Sequence, residues 1–292
     1  AFLGYYYFFN PSNKSYTTEE IMKKVNEKLV LNEIDEPIAY NKPENISSSY
    51  KKALAEKIID VDITKLKSLN NSTVGWIQND YLGINYPLVK GTNNSYYSNH
   101  DYLNGESTYG WIYVNSKNDF ESINQNTVIY GSSDLNSQLF YSLKKVLQAD
   151  FIKDINNQVI KLSTDKINSS WLVFSIYEIP NEEYYATTEF KDDEFEEFLD
   201  KIKERSVHDF KVNLDSSDKI LTLSTNKDKD NRIIIHAKLI NTDISIAENK
   251  DAEKGSATKE EEQAEIEKGA ATKEEEQAEI EKETTNRKDD NQ

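Results

Sequence analysis

The sequence predicts a mainly β protein, a closed or nearly closed β-barrel decorated by helices. Three observations carry this expectation. Beyond Val74 the apolar pattern moves toward a period of two, with strand-like runs at Gly110–Val114, Thr127–Tyr130, Gln158–Leu162, Trp171–Ile179, Ile220–Thr225 and Arg232–Ile240. One helical pattern interrupts them: Phe195, Phe198, Leu199 and Ile202 fall at i, i+3, i+4 and i+7 after Asp192-Asp193. The 292 residues also include 18 Tyr and 11 Phe, ample material for a core despite the polar average.

The strands are preceded by helices. Thr17 and Glu20 have the spacing of a capping box, and Ile21, Val25 and Leu29 then recur at i+4. A second helical stretch is expected from Ser48 through Ile59. Ahead of these lie nine uncharged residues, Ala1 to Phe9, then Asn10-Pro11. Spanning a bilayer takes about 20 apolar residues, so this stretch cannot cross one alone. The favoured reading is a processed chain carrying the outer end of a membrane anchor, with Tyr5, Tyr6 and Tyr7 at the interface. The competing reading is a sticky segment packed on its own domain.

The C-terminus is a different polymer. Residues 247–292 hold no aromatic residue and carry 16 acidic against 8 basic side chains, so -8 of the net charge of -17 lies there. Glu253–Ile266 repeats as Glu267–Ile280 with one change, Ser256 to Ala270, and a third copy breaks off after Glu281-Lys282. Ala, Glu, Lys and Gln favour helix, while Gly255 and Gly269 interrupt it once per unit. One Ile per unit is too little for a coiled-coil seam. A solvated spacer is expected, with an acidic docking arm as the alternative. The predicted organisation is a membrane-proximal segment at 1–16, a barrel domain at 17–246 and an acidic repeat tail at 247–292.

Within the barrel, several segments together resemble the class B sortases. Leu221-Thr222-Leu223-Ser224-Thr225 followed by Asn226, then Arg232-Ile233-Ile234-Ile235-His236, is similar to that family's final two strands. Asn126-Thr127-Val128-Ile129-Tyr130-Gly131 is similar to the strand that ends just before its catalytic histidine. Trp76-Ile77, Tyr86-Pro87-Leu88-Val89, Asn94-Ser95-Tyr96-Tyr97, His100-Asp101-Tyr102 and Lys203-Glu204-Arg205-Ser206 support the match, in the family's order, over residues 15–245. The resemblance implies a closed barrel of about eight strands with N-terminal helices and a helix inserted between late strands. It also implies an enzyme that attacks the Thr carbonyl of a sorting signal with a thiolate, on the outer face of a Gram-positive-type plasma membrane.

The departures bear directly on that chemistry. The family's cysteine position is Asn226 here and its histidine position is Ser132, while the arginine is retained as Arg232. An amide is no useful nucleophile at neutral pH, and a hydroxyl titrates far above the range in which it could protonate a leaving amine. The chain has no cysteine at all, which removes thiol nucleophiles, disulfides and thiolate metal sites. The stretch between Asn226 and Arg232 is also shorter than the family's. The resemblance places sorting-signal contacts at Asn94, Tyr185 and Ser224, with Ala186 where a bulkier aliphatic is usual.

Other routes to activity are weakly supported by the sequence. His236 shares a strand face with Arg232, but four residues along a strand is about 13 Å, too far for one site, and a packed histidine is the expectation. His100 reads as structural, and His208 is assigned no role. Ser132 and Ser133 have only Asp134 nearby as a base. Asp228, Asp230 and Asn231 alternate like a calcium loop but lack its Gly and distal Glu, so a solvated turn is expected. No metal or cofactor is called for. The negative balance argues against nucleic acid. The partner expected is a sorting-signal-like peptide or surface protein, with the membrane reached through the N-terminal anchor. The leading expectation is a cell-surface pseudoenzyme. The alternatives are a scaffold acting through its acidic tail, and an active transpeptidase whose two catalytic residues have been exchanged in this chain.

Overall fold

The computed structural model describes residues 16–120, 123–191 and 193–244, which belong to a unit ending at Ile244. The N-terminal uncharged segment and the acidic repeats, with the expectations placed on them, lie outside the described residues. The first helix, Thr18–Asn26, opens on the predicted capping box: Glu20 N donates to Thr17 Oγ1 at 3.2 Å, and Thr17 N donates to Glu20 Oε2 at 2.9 Å. Its Ile21 and Val25 are wholly buried.

Eleven strands follow in the described chain: β1 Leu31–Ile34, β2 Ile38–Ala39, β3 Ile58–Val61, β4 Thr73–Asn79, β5 Ile84–Val89, β6 Tyr113–Val114, β7 Asn126–Tyr130, β8 Val159–Thr164, β9 Asn168–Pro180, β10 Ile220–Asn226 and β11 Asn231–Thr242. Eight of them close a ring in the order β10-β7-β6-β5-β4-β8-β9-β11, and β11 returns to β10. β2 adds a two-residue pairing at the far end of β11, and β1 with β3 forms a separate ribbon. The β7–β10 and β5–β6 pairs are parallel and the rest antiparallel. The fold is therefore the closed eight-stranded, helix-decorated barrel that the sequence predicts. Closure removes the unpaired edges an open sheet of this size would present.

Two predicted elements are corrected. The second helix runs only Ser48–Leu54, and Ile58–Val61 pairs with β1 instead of continuing it. Its Ile-Ile-Asp-Val run carries three β-branched side chains, which pack well on a pleated surface. The run at Gly110–Val114 contributes only Tyr113–Val114. Gly110 takes φ +62, and a Cβ there would lie 2.2 Å from the Tyr97 carbonyl, so the chain turns tightly before the strand starts.

All three tryptophans, Trp76, Trp111 and Trp171, are buried in the core. The inserted helix, Glu194–Glu204, buries Phe195, Phe198, Leu199 and Ile202, the four residues of its predicted stripe. They pack on Tyr177, Ile179, Ile220 and Ile234. Acidic residues in its first turn and Lys201 and Lys203 in its last complement the helix dipole. No helix among the described residues is long and apolar enough to cross a membrane.

Candidate functional site

Strand register brings the three positions singled out by sequence to one rim of the barrel. β7 and β10 run parallel with Ser224 opposite Tyr130, so two residues further on Asn226 and Ser132 stand abreast. The alignment continues beyond the ladder: Gly131 N donates to the Ser224 carbonyl at 3.2 Å, and Thr225 Oγ1 donates to the Gly131 carbonyl at 2.7 Å. On the other side of β10, Asn226 pairs with Arg232 across the hairpin. Ser132, Asn226 and Arg232 thus occupy neighbouring positions on three adjacent chain segments. Gly131 is required where it stands, because a Cβ would lie 2.6 Å from the Phe140 ring. Ser133 Oγ donates to the Asn226 carbonyl and fixes the end of β10.

The chemistry available at this rim is limited. The Asn226 side chain is exposed and makes no hydrogen bond among the described residues. Ser132 Oγ accepts the Asp134 backbone N–H at 3.2 Å, while Asp134 Oδ1 accepts the Asn136 N–H at 2.8 Å within its own turn. The Asp134 carboxylate therefore serves a turn and does not pair with a serine hydroxyl. None of the three histidines lines the cleft described below. His236 is fully buried, and burial pushes its pKa down to about 3. His100 stacks on Tyr96 at 4.1 Å, with Nδ1 2.9 Å from the Tyr96 carbonyl. Asp228 Oδ1 accepts the N–H groups of Asp230 and Asn231, both at 2.9 Å, as a turn residue.

Arg232 is held in a directed chain of donors. Its Nε donates to Asn181 Oδ1 at 2.9 Å, and Nη1 reaches Ser224 Oγ at 3.4 Å. Ser224 Oγ donates to Tyr185 Oη at 2.9 Å. The Tyr185 hydroxyl is the acceptor in that bond, so its own proton is left over. Tyr185 sits in a single 3-10 turn, Tyr184–Ala186, between β9 and the inserted helix. Opposite, Asn94 Oδ1 accepts the Ser116 N–H at 2.7 Å, with Nδ2 3.4 Å from Asn115 Oδ1. Asn115 in turn donates to Tyr130 Oη at 3.0 Å.

These side chains line one open cleft of about 690 Å³. Asn94, Ser132, Tyr185, Ser224, Asn226 and Arg232 all contribute to its wall, joined by Trp111, Tyr113 and Tyr130. Burial raises the pKa of Tyr113 and Tyr130, against a smaller opposing pull from Arg232, so both hydroxyls stay protonated at neutral pH. The cleft therefore offers hydrogen-bond donors, one guanidinium and aromatic faces. Sequence reasoning missed Asn181, Asn115 and Tyr113, weighed Ser133 only as part of a hydrolytic pair, and gave Tyr130 no place in the cleft. Asn181 follows the end of β9, a position no periodicity singles out, and nothing in the sequence shows that Ser133 bonds the Asn226 carbonyl.

No protein-family model matches the chain. Individual relatives do. Sortase B of Listeria monocytogenes is 32% identical over 184 residues, 61% of this chain and 74% of that protein. Sortase B of Staphylococcus aureus is 31% identical over 180 residues, covering 60% and 73%. Among solved structures, a Staphylococcus aureus sortase B–substrate complex superposes with a TM-score of 0.57 at 30% identity, over 61% of this chain and 84% of that one. Sortase B from B. anthracis gives a TM-score of 0.57 at 34% identity, over 61% and 82%. The chain belongs to the sortase B family.

Proposed function

We propose that this chain is a cell-surface sortase B-like protein that has lost transpeptidation and binds a sorting-signal-like peptide without cutting it. The observation that carries the reading is the alignment of Ser132, Asn226 and Arg232 at one rim, with a cleft in front of them. Transpeptidation through a thioester needs a nucleophile that can leave again and an acid that can protonate the departing amine. Asn226 and Ser132 supply neither. Arg232, Ser224, Tyr185 and Asn94 are groups that bind, and they need no proton transfer to do so. Sortase B of Staphylococcus aureus has been solved as a substrate complex, which supports ligand binding as a property this fold can keep. A place on the outer face of the plasma membrane, held through the N-terminal anchor if that anchor is untrimmed, completes the reading.

Titration of the protein with a panel of sorting-signal-like peptides, by calorimetry or NMR, tests it. Saturable binding is expected. A guanidinium hydrogen bond to a peptide carbonyl contributes about 1.5–3 kcal/mol. Arg232→Ala is then expected to weaken binding by roughly ten- to a hundred-fold, since about 1.4 kcal/mol is tenfold. Flat titrations across the panel would end the binding reading and leave Arg232 as a relic of an ancestral site.

The repeat tail favours a second reading, a scaffold in which residues 247–292 capture a partner and the barrel is passive. The near-identity of Glu253–Ile266 and Glu267–Ile280 is the specific reason to keep it. Limited proteolysis separates the two. Removal of the tail is expected to leave the melting temperature and peptide binding unchanged. A fall of several degrees on truncation, or full partner capture by the isolated tail, would favour the scaffold.

A further inference from the structure

A closed run of hydrogen bonds lies behind the cleft wall. Asn126, Thr222, His236 and Tyr177, on β7, β10, β11 and β9, are each 1% exposed or less. The direction of every link is determined. Asn126 spends both amide protons on backbone carbonyls, those of Tyr185 at 3.0 Å and Thr187 at 2.8 Å. Its Oδ1 is then the acceptor for Thr222 Oγ1 at 2.6 Å. A threonine hydroxyl has one proton, and with that proton committed to Asn126 its oxygen can only accept from His236 Nδ1, 2.8 Å away. The imidazole is therefore the Nδ1–H tautomer, and its Nε2 accepts from Tyr177 Oη at 2.8 Å. Tyr177 Oη in turn accepts from Tyr184 Oη at 3.2 Å.

Both ends of the run land on the same segment, Tyr184–Thr187, and Tyr185, Ala186 and Thr187 line the cleft. The Phe174 and Phe198 rings flank His236, each with its centroid 6.1 Å away. Desolvation keeps the imidazole uncharged at neutral pH. Lys201 of the inserted helix and Arg205 at its C-cap lie over the Tyr184 ring at 4.1 and 4.6 Å and secure its outer end. A histidine that merely filled space would leave two buried nitrogens to be desolvated without return. Here each nitrogen passes a bond toward the same stretch of backbone.

We propose that His236, as its Nδ1–H tautomer, is a positioning residue for the cleft. Through Thr222 and Asn126 on one side, and Tyr177 and Tyr184 on the other, it sets where the Tyr184–Thr187 wall stands relative to Arg232. The consequence for ligand affinity rests on the peptide-binding reading. The consequence for the wall itself does not.

The test uses the full chain and two variants that each remove one hydroxyl with little change of volume, Tyr177→Phe and Thr222→Val. Long-range nitrogen–proton NMR of the unaltered protein is expected to show a neutral His236 protonated at Nδ1. In both variants, amide exchange at Ala186 and Thr187, whose N–H groups bond the Glu183 and Tyr184 carbonyls, is expected to accelerate about ten-fold or more. Exchange at Leu223 and Ile235 should hold. Leu66→Ala, a core truncation in a different part of the fold, serves as the control for general destabilisation. Where peptide binds, both variants are expected to weaken it by about three- to ten-fold. A His236 protonated at Nε2 would overturn the proposal. So would exchange at Ala186 and Thr187 that is unchanged, or that rises evenly across the barrel as in the control. Absence of any peptide binding by the unaltered protein would sink the binding reading alone, and the exchange data would still decide the role of His236.

Discussion

Incubated with sorting-signal peptides and an amine acceptor, the purified protein is expected to release no leaving group and form no new amide bond. In serine- and cysteine-type units the nucleophile and its proton-transfer partner act together, and removing the nucleophile costs on the order of a million-fold in kcat. Here Asn226 and Ser132 stand at the two positions, and among the described residues the neighbouring hydroxyls and carboxylate are otherwise engaged. Ser133 Oγ is committed to the Asn226 carbonyl, Ser132 Oγ receives only a backbone N–H, and Asp134 closes its own turn. The loss should hold across the neutral pH range, because no histidine lines the cleft to carry the proton. Chromatographic detection of the cleaved peptide checks this. Turnover above a buffer blank that Arg232→Ala abolishes would show that some other group has taken over the chemistry.

The largest expected effect on stability lies away from the cleft, at the ion pair of Lys238 and Asp218. Lys238 Nζ lies 2.8 Å from Asp218 Oδ1, with the two side chains 1% and 0% exposed. The lysine also donates to the Asn213 carbonyl at 3.1 Å. Asp218 accepts from Asn41 Nδ2 at 2.6 Å and from the Asp215 backbone N–H at 2.8 Å. These bonds satisfy both charges and fasten the loop before β10 to β11. Lys238→Met is expected to lower stability by about 3–5 kcal/mol, because it leaves a buried carboxylate without its cation. For a body of this size that is a fall of roughly 6–20 °C in melting temperature. Joining it to Asp218→Leu should recover much of the loss, since replacing a buried pair by apolar groups is often near neutral. Thermal unfolding of the single and double variants measures the difference. Equal melting temperatures for Lys238→Met and the unaltered chain would mean that water reaches the pair.

The barrel was legible in the sequence because its late strands are long and apolar on both faces. Trp171–Ile179 and Arg232–Ile240 fall inside β9 and β11, and Ile220–Thr225 inside β10. The inserted helix was equally plain, since four large apolar side chains at helical spacing have no other use. The small elements were not. β1, β2 and β6 have four residues or fewer, too short for any period to emerge, and the first two residues of β3, Ile58 and Ile59, were absorbed into the helical pattern before them. For the site, family resemblance supplied Ser132, Asn226, Arg232, Asn94, Tyr185 and Ser224, and the fold gathers them around one cleft. What no local pattern could supply is the wiring. Asn181 on Arg232, Asn126 on the carbonyls of Tyr185 and Thr187, and His236 between Thr222 and Tyr177 are bonds between residues up to 61 positions apart.

Under the proposed function the cleft binds a peptide and cannot acylate. Native mass spectrometry of the full chain with a sorting-signal peptide addresses both halves at once. A complex with the summed mass of protein and intact peptide is expected, which falls apart to unmodified protein on denaturation. A covalent adduct carrying the peptide less its leaving fragment would contradict the loss of chemistry, and protein that stays free at saturating peptide would contradict the binding.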